Sequence, residues 1–417
     1  NRDFTMEGYN KKVIMSYWTI CRMKTTKKIY VKVSIIFLLG GILLFSSCEK
    51  EENQKIEANR KTLFMYLPWS SNLTNYFYNN ISDLEKCITK IGLNNEKVIV
   101  FISTGSTEAM MFEIVSSHGR CKREILKKYK SPPFTTIDGI TAILNDVKAF
   151  APASVYTMII GCHGMGWLPV YEMKVRSAPH MKMHWEYQGV PLTRYFGGLT
   201  AEYQTDIKSL ASGIANAGMK MEYILFDDCY MSSIEVAYEL KDVTKYLIGS
   251  TSEMMAYGMP YAAIGEYLLG NPDYQSGCEE FYNFYSTYEI MPCGTLAVTD
   301  CSELENMAAI IKSINSKYSF DKSLRGTIQR LDGYTPVIFY DFADYITSLC
   351  NDPILLNQFR EQLNHLVPYK THTKNFYTMA KGIIPINTFS GITTSDPSDN
   401  PMTVLKENTL WYKAAHN

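Results

Sequence analysis

Short apolar runs that alternate with helical patterns constrain the fold of this chain more than any other feature of its sequence. The runs predict strands at residues 62–67, 97–102, 155–161, 223–227, 245–250 and 294–299. Apolar residues at helical spacing predict helices at residues 73–91, 137–150, 206–217 and 231–240. Strands that are apolar on both faces are typical of a mostly parallel sheet covered by helices, so the pattern predicts an α/β fold.

Two of these strands lead directly to residues that carry chemistry. The strand at 155–161 is followed by His163, and the strand at 223–227 is followed by Cys229. Ligand sites of parallel sheets lie at the carboxyl ends of the strands, so we expect these two side chains to meet. A thiol nucleophile with an adjacent imidazole base is sufficient for attack on a peptide carbonyl. The sequence therefore predicts a cysteine peptidase with Cys229 as nucleophile and His163 as base.

The same two loops contain donors for the negative charge that develops on the substrate. Attack on a carbonyl produces an oxyanion, which peptidases stabilise with N–H donors. The backbone N–H groups of Gly164 and Cys229 are the natural pair, because a glycine lets the backbone approach the substrate closely. We therefore predict an oxyanion hole formed by these two residues.

The charge distribution predicts an export signal at the N-terminus. Residues 1–47 contain eight Lys/Arg and two Asp/Glu, a net charge of +6 in a chain whose total is −1. A basic stretch that starts at Met23 precedes 13 apolar residues, 33–45, which is typical of a signal segment and short for a membrane span. Small residues before Cys48 resemble a bacterial lipobox, and the acidic residues after it resemble a signal for the cell surface.

From these features we predict a true start at Met23, a signal segment to residue 47, and a lipid anchor at Cys48. The chain would lie at the bacterial outer membrane or cell surface. The alternatives are an ordinary signal peptide or a short membrane anchor. Residues 48–60 are charged and are predicted as a flexible tether.

Beyond the tether, we divide the chain into a core domain at residues 61–300 and a smaller C-terminal subdomain at 301–417. Helical patterns in the latter lie at residues 302–318 and 355–366. The ten cysteines show no C-x-x-C and no zinc-like spacing, so we predict no metal site. Apart from Cys48 and Cys229, the sequence leaves open whether the cysteines are thiols or disulfides.

The motifs around the predicted dyad resemble those of the clostripain family of cysteine peptidases, within the caspase-like superfamily. The family's signatures are a strand followed by His-Gly-x-Gly-Trp and a later strand that ends in Asp-Ala-Cys-x-Met, with Glu-Val in the next helix. The corresponding residues here are His163-Gly164-Met165-Gly166-Trp167, Asp227-Asp228-Cys229-Tyr230-Met231 and Glu235-Val236. Further matches are Thr193-Arg194-Tyr195-Phe196-Gly197, Ser250-Thr251-Ser252-Glu253 and Gly258-Met259-Pro260-Tyr261. The resemblance covers residues 61–300 well and the remainder weakly, and it implies a caspase-like three-layer α/β/α sandwich.

The resemblance also implies a specificity. In the family, the catalytic unit is a dyad with no required third carboxylate. The family's acidic residue two positions before the nucleophile lies at the bottom of the S1 pocket. Asp227 holds that position, which implies cleavage after Arg or Lys. The alternative is that Asp227 caps the next helix. Asp228 replaces the family's usual Ala, and two interpretations stay open: added negative charge near S1, or a side chain that points to solvent.

Members of this family often cut themselves between the His and the Cys. We therefore predict self-cleavage after Lys174, Arg176 or Lys182, in the long polar segment 168–205. No cofactor is required for the chemistry. Some members of the family depend on calcium, so calcium stays possible, although the sequence has no EF-hand-like loop.

The expected partners are peptide or protein substrates with Arg or Lys, and the membrane through the lipid anchor. We expect a monomer and no nucleic acid, since the basic run at 120–130 is typical of a solvated face or strand edge. His180 and His184 have helical metal-ligand spacing but lack an accompanying acid. The rival hypotheses are a non-catalytic surface lipoprotein of the same fold that binds peptide, and a cysteine-dependent amidase.

Overall fold

A large sheet built around five parallel strands forms the centre of the molecule. The structure is a computed structural model that describes residues 59–170 and 203–416. Within these residues the sheet contains nine strands: β1 (Asn59–Leu67), β2 (Glu96–Gly105), β3 (Glu108–Ser117), β4 (Arg120–Lys130), β5 (Ala153–Gly161), β6 (Met221–Asp227), β7 (Thr244–Gly249), β8 (Thr295–Asp300) and β10 (Tyr369–His372). The short strand β9 (Tyr340–Asp341) belongs to a separate small sheet. The order across the sheet is β10-β8-β7-β6-β5-β1-β2-β3-β4.

The parallel strands are those with continuous apolar runs. β7, β6, β5, β1 and β2 are parallel neighbours, and antiparallel strands complete the sheet on both sides. Residues 63–67 of β1 are between 0% and 3% exposed, as expected for a strand covered on both faces. The six predicted strands are all confirmed, and so is the mostly parallel arrangement.

The β3–β4 hairpin was not predicted as strands. β4 is the basic run 120–130, and its side chains are mostly exposed or half-buried because it forms the outer edge of the sheet. Charged side chains on an edge strand discourage pairing with other chains. The interpretation of this run as a strand edge agrees with its position in the sheet.

The helices form two packed groups, which with the sheet give the predicted layers of an α/β fold. They are α1 (Thr74–Ile91), α2 (Ile137–Phe150), α3 (Ile207–Asn216), α4 (Ile234–Leu240), α5 (Tyr261–Leu268), α6 (Tyr274–Ser286), α7 (Leu304–Asn315), α8 (Phe342–Leu349), α9 (Pro353–Leu366) and α10 (Leu410–His416). In one group α1, α5 and α6 pack in succession, and in the other α2, α3, α4, α10, α7 and α9 do. Gly218, with φ of 63°, follows α3 in the left-handed conformation that commonly ends a helix.

The C-terminal part of the chain is joined to the core through the sheet. β10 pairs antiparallel with β8, with Tyr369 opposite Val298. Two small sheets pair β11 (Asn375–Thr378) with β12 (Gly382–Pro385), and β13 (Thr393–Thr394) with β9. Residues 301–417 therefore contribute a strand to the large sheet as well as helices.

Several predicted features lie outside the described residues: the start at Met23, the signal segment, the lipidation site Cys48 and most of the tether. β1 begins at Asn59, so the last two residues of the predicted tether belong to the sheet. In the part of the chain that the structure describes, no helix has both the length and the apolar character needed to cross a bilayer. All eight cysteines of these residues are free thiols.

Candidate active site

The two predicted site loops leave neighbouring strands at the same height of the sheet. β5 and β6 are parallel, and their last paired residues are Gly161 and Asp227. His163 and Cys229 each lie two residues beyond this pair. We call residues 162–170 the histidine loop and residues 228–233 the cysteine loop.

Gly164 shows that the two loops are in direct contact. A Cβ atom added to this glycine would lie 2.2 Å from the carbonyl oxygen of Cys229 and 3.0 Å from its backbone nitrogen. Only a glycine permits so close an approach of the two backbones. The structure therefore brings together the two loops that carry the predicted dyad and the predicted oxyanion donors, at the carboxyl edge of the parallel strands.

The cysteine loop is fixed by backbone groups of residues 250–254. Tyr230 N–H donates to the carbonyl of Ser252 at 3.0 Å, and Ser232 N–H donates to that of Ser250 at 2.9 Å. The buried Cys229 sulfur accepts the N–H of Met254 at 3.1 Å. The Cys229 thiol in turn donates to the carbonyl oxygen of Met254 at 3.7 Å, so both backbone groups of Met254 hold the sulfur.

Tyr230 turns the chain sharply just after Cys229. Its φ of 61° lies in the left-handed region, which costs a bulky residue roughly 1–3 kcal/mol and needs support from the surroundings. The support comes from its hydroxyl, which donates to Glu253 Oε1 at 2.8 Å, and from its ring, which stacks on Phe339 with centroids 4.8 Å apart. The strained turn at Tyr230 ends the extended backbone, so that Cys229 lies just beyond the end of β6.

His163 is fully buried and its ring is oriented by Asn72, a residue that the sequence analysis missed. Nε2 of His163 lies 2.7 Å from Oδ1 of Asn72, in the short 3₁₀ segment after β1. With that oxygen as acceptor, Nε2 carries the ring hydrogen and Nδ1 carries the lone pair that accepts a proton. The sequence offered one signal for this contact: Asn72 follows β1, and β1 pairs in parallel with β5, so residues after β1 lie beside His163.

The remainder of the histidine loop packs against the C-terminal part of the chain. Trp167 donates its indole N–H to Ser395 Oγ at 2.8 Å. Gly166, with φ of 59°, leaves no room for a side chain, since an added Cβ would lie 2.8 Å from the ring of Phe339. The two glycines and the tryptophan of the first motif are thus explained by contacts.

Glu235, in the helix after the cysteine loop, holds the segment that receives Trp167. Its Oε1 accepts the N–H of Ser395 at 2.7 Å and the hydroxyl of Thr394 at 3.0 Å. Burial, together with the nearby Asp396, raises the pKa of Glu235 to about 7. Burial likewise raises the pKa of Asp396 to about 6.

Asp227 is buried and holds the segment before α5. Its carboxylate accepts the N–H of Met259 at 2.8 Å and the hydroxyl of Tyr261 at 2.9 Å. The alternative that it caps the next helix is wrong, because Ser233 is the N-cap of α4 and accepts from Val236. A role in the S1 pocket stays a prediction.

Asp228 does not point to solvent. The residue is 0% exposed, and its Oδ1 accepts the backbone N–H of Cys162 at 2.6 Å. The thiol of Cys162 donates to Oδ2 at 3.4 Å. The solvent interpretation was wrong because the carboxylate has donors on the histidine loop.

The predicted processing sites Lys174, Arg176 and Lys182 lie outside the described residues, as do His180 and His184. Among residues 59–170 and 203–416, no three His, Cys, Asp or Glu side chains are grouped so that they could hold a metal ion. Calcium also binds backbone and amide oxygens, so the possible calcium requirement stays a prediction, and no step proposed below needs a metal.

Comparison with known proteins agrees with the geometry. The model of the clostripain family matches residues 65–384. A secreted C11 cysteine protease from Bacteroides thetaiotaomicron, "iotapain", is 58% identical over 86% of this chain and 99% of its own, with a TM-score of 0.80. No match was found among curated proteins.

Two further solved structures are similar. A clostripain from Bacteroides thetaiotaomicron, in complex with the peptide inhibitor BTN-VLTK-AOMK, is 65% identical over 53% of this chain and 99% of its own, with a TM-score of 0.53. An inactive zymogen C11 protease from Parabacteroides distasonis is 24% identical over 86% of this chain and 98% of its own, with a TM-score of 0.71, a likeness of fold alone.

Proposed function

Because this chain belongs to the clostripain family of cysteine peptidases, we propose that Cys229 and His163 form its catalytic dyad and that it cleaves peptide bonds after Lys or Arg. The observation that carries the assignment is the contact of the two loops at Gly164. A Cβ atom added to this glycine would lie 2.2 Å from the Cys229 carbonyl oxygen. Buried at the ends of parallel strands, the two residues occupy the edge where such sheets bind ligands.

The proposed reaction begins with attack of the Cys229 sulfur on the substrate carbonyl carbon. Nδ1 of His163 takes the thiol proton, while Asn72 holds the opposite ring nitrogen. The N–H groups of Gly164 and Cys229 stabilise the oxyanion, a contribution typically of about a hundredfold or more per donor. His163 then gives its proton to the leaving amine, and a thioester to Cys229 remains.

Water completes the reaction in a second half. His163 accepts a proton from water as its oxygen attacks the thioester carbonyl. The intermediate releases the Cys229 sulfur as the carbon–sulfur bond breaks, and His163 returns its proton to the sulfur. The products are a free carboxylic acid and the regenerated thiol. This sequence is the general one for a cysteine nucleophile activated by a histidine.

We propose that Asp227 provides the preference for a basic side chain. Two observations support it: the carboxylate lies at the end of β6, two residues before Cys229, and it is only 1% exposed. The inhibitor bound by the similar clostripain has K directly before its AOMK group. A carboxylate favours a cationic side chain there, because hydrogen bonds between charged partners are stronger than those between neutral groups.

Matched peptide substrates that differ only in Lys, Arg or Gln before the cut bond test this proposal. For Asp227→Asn we expect kcat/KM on the Lys substrate to fall about a hundredfold or more, because one partner of a buried charge pair is lost. The Gln substrate provides the internal control, and its kcat/KM should change far less. An unchanged ratio of Lys to Gln cleavage in the variant would remove Asp227 from the S1 pocket.

We also propose that the enzyme activates itself by cutting after Lys174, Arg176 or Lys182. His163 and Cys229 are both 0% exposed, so a substrate needs the site to open. The chain of the similar clostripain structure matches over 99% of its own length but over only 53% of this chain. That is the size expected of one of the two products of such a cut. Purified wild type should become two chains and Cys229→Ala should remain one. A wild type that stays one chain while hydrolysing Lys substrates would contradict this proposal.

A lipid anchor at Cys48 completes the proposal for the location of the enzyme. The lipobox-like sequence supports it, and the relative at 58% identity is a secreted protease. In cells, wild type should sediment with the outer membrane and incorporate labelled fatty acid. Cys48→Ala should do neither, and equal membrane attachment of both forms would refute the anchor.

A further inference from the structure

We propose that Asp228 is a positioning residue that joins the histidine loop to the cysteine loop and so sets where His163 stands relative to Cys229. This inference rests on the proposed dyad. It concerns a position where the clostripain motif has Ala, a residue without any side-chain acceptor.

The first observation is where the sheet ends. The last residues that pair between β5 and β6 are Gly161 and Asp227. The next backbone donor on the histidine side is the N–H of Cys162, which lies beyond the ladder. Asp228 Oδ1 accepts this N–H at 2.6 Å, so a side chain supplies the bond that a longer strand would have supplied.

The second observation is that this bond joins the neighbours of both dyad residues. Asp228 directly precedes Cys229, and Cys162 directly precedes His163. The carboxylate also accepts the Cys162 thiol at 3.4 Å through its second oxygen. A bond from a charged acceptor is shorter and stronger than one between neutral groups.

The third observation is the tight fit between the two loops. A Cβ added to Gly164 would lie 2.9 Å from the Cβ of Asp228, so the aspartate side chain itself fills the space beside the histidine loop. With Asp228 at 0% exposure, no water competes for the Cys162 N–H from that side. Loss of the bond would let the loop that carries His163 shift relative to the nucleophile.

Such a shift acts on the chemical step rather than on substrate binding. A misplacement of about 1 Å in a catalytic group can cost about a hundredfold in rate. The carboxylate of Asp227, proposed to bind the substrate's cation, has other partners, namely Met259 and Tyr261. We therefore expect changes at Asp228 to lower kcat while KM stays nearly the same.

Two conservative variants separate position from charge. Asp228→Asn keeps an oxygen acceptor at the same place and removes the charge. Asp228→Glu keeps the charge and moves the carboxylate by one methylene group. With a Lys substrate and the purified enzyme, we expect Asp228→Asn to retain kcat within about fivefold and Asp228→Glu to lose at least about tenfold, with KM of both near wild type.

The controls distinguish this effect from a general loss of stability. Glu96→Ala removes another buried carboxylate, which accepts the N–H of Gly270 at 3.0 Å. Glu96 is the first residue of β2 and lies at the amino ends of the parallel strands, opposite to the edge that carries the two loops. The substitution should lower the midpoint of thermal unfolding and leave kcat per folded enzyme unchanged. Asp228→Ala, where it folds, should lose about a hundredfold in kcat.

Three results would overturn the inference. Equal kcat in the Asn and Glu variants would do so, and so would a fully active Asp228→Ala. A raised KM in Asp228→Asn with kcat preserved in Asp228→Glu would assign the charge to substrate binding instead. The proposed dyad fails separately, since in that case Cys229→Ala would retain activity whatever Asp228 does.

Discussion

The two loops that meet at the proposed active site are held by different kinds of contact. The cysteine loop donates the backbone N–H groups of Tyr230 and Ser232 to carbonyls of residues 250–252, and the Ser232 carbonyl accepts the N–H of Thr393. The histidine loop is held mainly by side chains, which belong to Asn72, Asp228 and Ser395. Backbone bonds survive most substitutions, whereas a side-chain bond is lost with one residue.

Because of this difference, the positions of the nucleophile and of the base depend on the sequence in different ways. Geometry at the nucleophile is built into the ends of β6 and β7, and the Cys229 sulfur also contacts a backbone N–H, that of Met254. Geometry at the base depends on partners that lie far away in the chain, by 91 residues for Asn72 and 228 for Ser395. We therefore expect single substitutions to affect the position of the base more than that of the nucleophile.

Of the three substitutions that test this contrast, Asn72→Ala should have the largest effect, because Asn72 contacts the histidine ring directly. Asn72→Ala removes the acceptor of His163 Nε2, so the ring loses both its orientation and its preferred tautomer. We expect kcat to fall between about tenfold and a hundredfold, with KM little changed. Steady-state kinetics on a Lys substrate, with the pH profile of kcat, provide the measurement.

Asn75→Ala is the matched control, because Asn75 is exposed at the start of α1. It should retain wild-type kinetics. If Asn72→Ala were as active as this control over the whole pH range, the histidine loop would not depend on that side chain.

The next effect concerns stability and pH at Glu235, which supports Ser395 and through it Trp167. Its folded pKa of about 7 exceeds its ordinary value of 4.5, so the folded state keeps a proton that the unfolded state releases. Its contribution to stability is therefore present below pH 4.5 and is lost as the pH rises through about 7.

Glu235→Gln keeps an oxygen acceptor and does not titrate, so the variant should gain stability relative to wild type as the pH rises from 5 to 8. The relative change in the free energy of unfolding should be on the order of 2 kcal/mol, because each pKa unit corresponds to about 1.4 kcal/mol. Urea unfolding at several pH values measures it. A difference between the two proteins that does not vary with pH would exclude a proton on Glu235.

The smallest effect is expected at Ser232, in the cysteine loop. Ser232→Ala removes the hydroxyl that donates to the Gly391 carbonyl at 2.7 Å, while both backbone bonds of residue 232 remain. We expect a loss of about 1 kcal/mol in the free energy of unfolding and a kcat within about twofold of wild type. A fall in kcat like that of Asn72→Ala would show that the cysteine loop, too, is positioned by side chains.

The same contrast accounts for what the sequence could predict. Buried strands produce continuous apolar runs, so β1, β2 and β5–β8 could be located, and with them the two residues at the ends of β5 and β6. The β3–β4 hairpin was missed because its outer strand is exposed and charged. Hydrogen bonds between residues 91 or 66 positions apart leave no local pattern, so the partner of Asp228 could not be found and Asn72 was indicated only by the pairing of β1 with β5.

The most direct test of the central claim, that the two loops form one peptidase site, is to locate the adduct of an irreversible Lys-directed peptide inhibitor by peptide mass spectrometry. We predict one adduct per chain, on Cys229. It should be absent in Cys229→Ala and form at least about a thousandfold more slowly in His163→Ala. An adduct on any of the other seven described thiols, or labelling that persists in Cys229→Ala, would contradict the account.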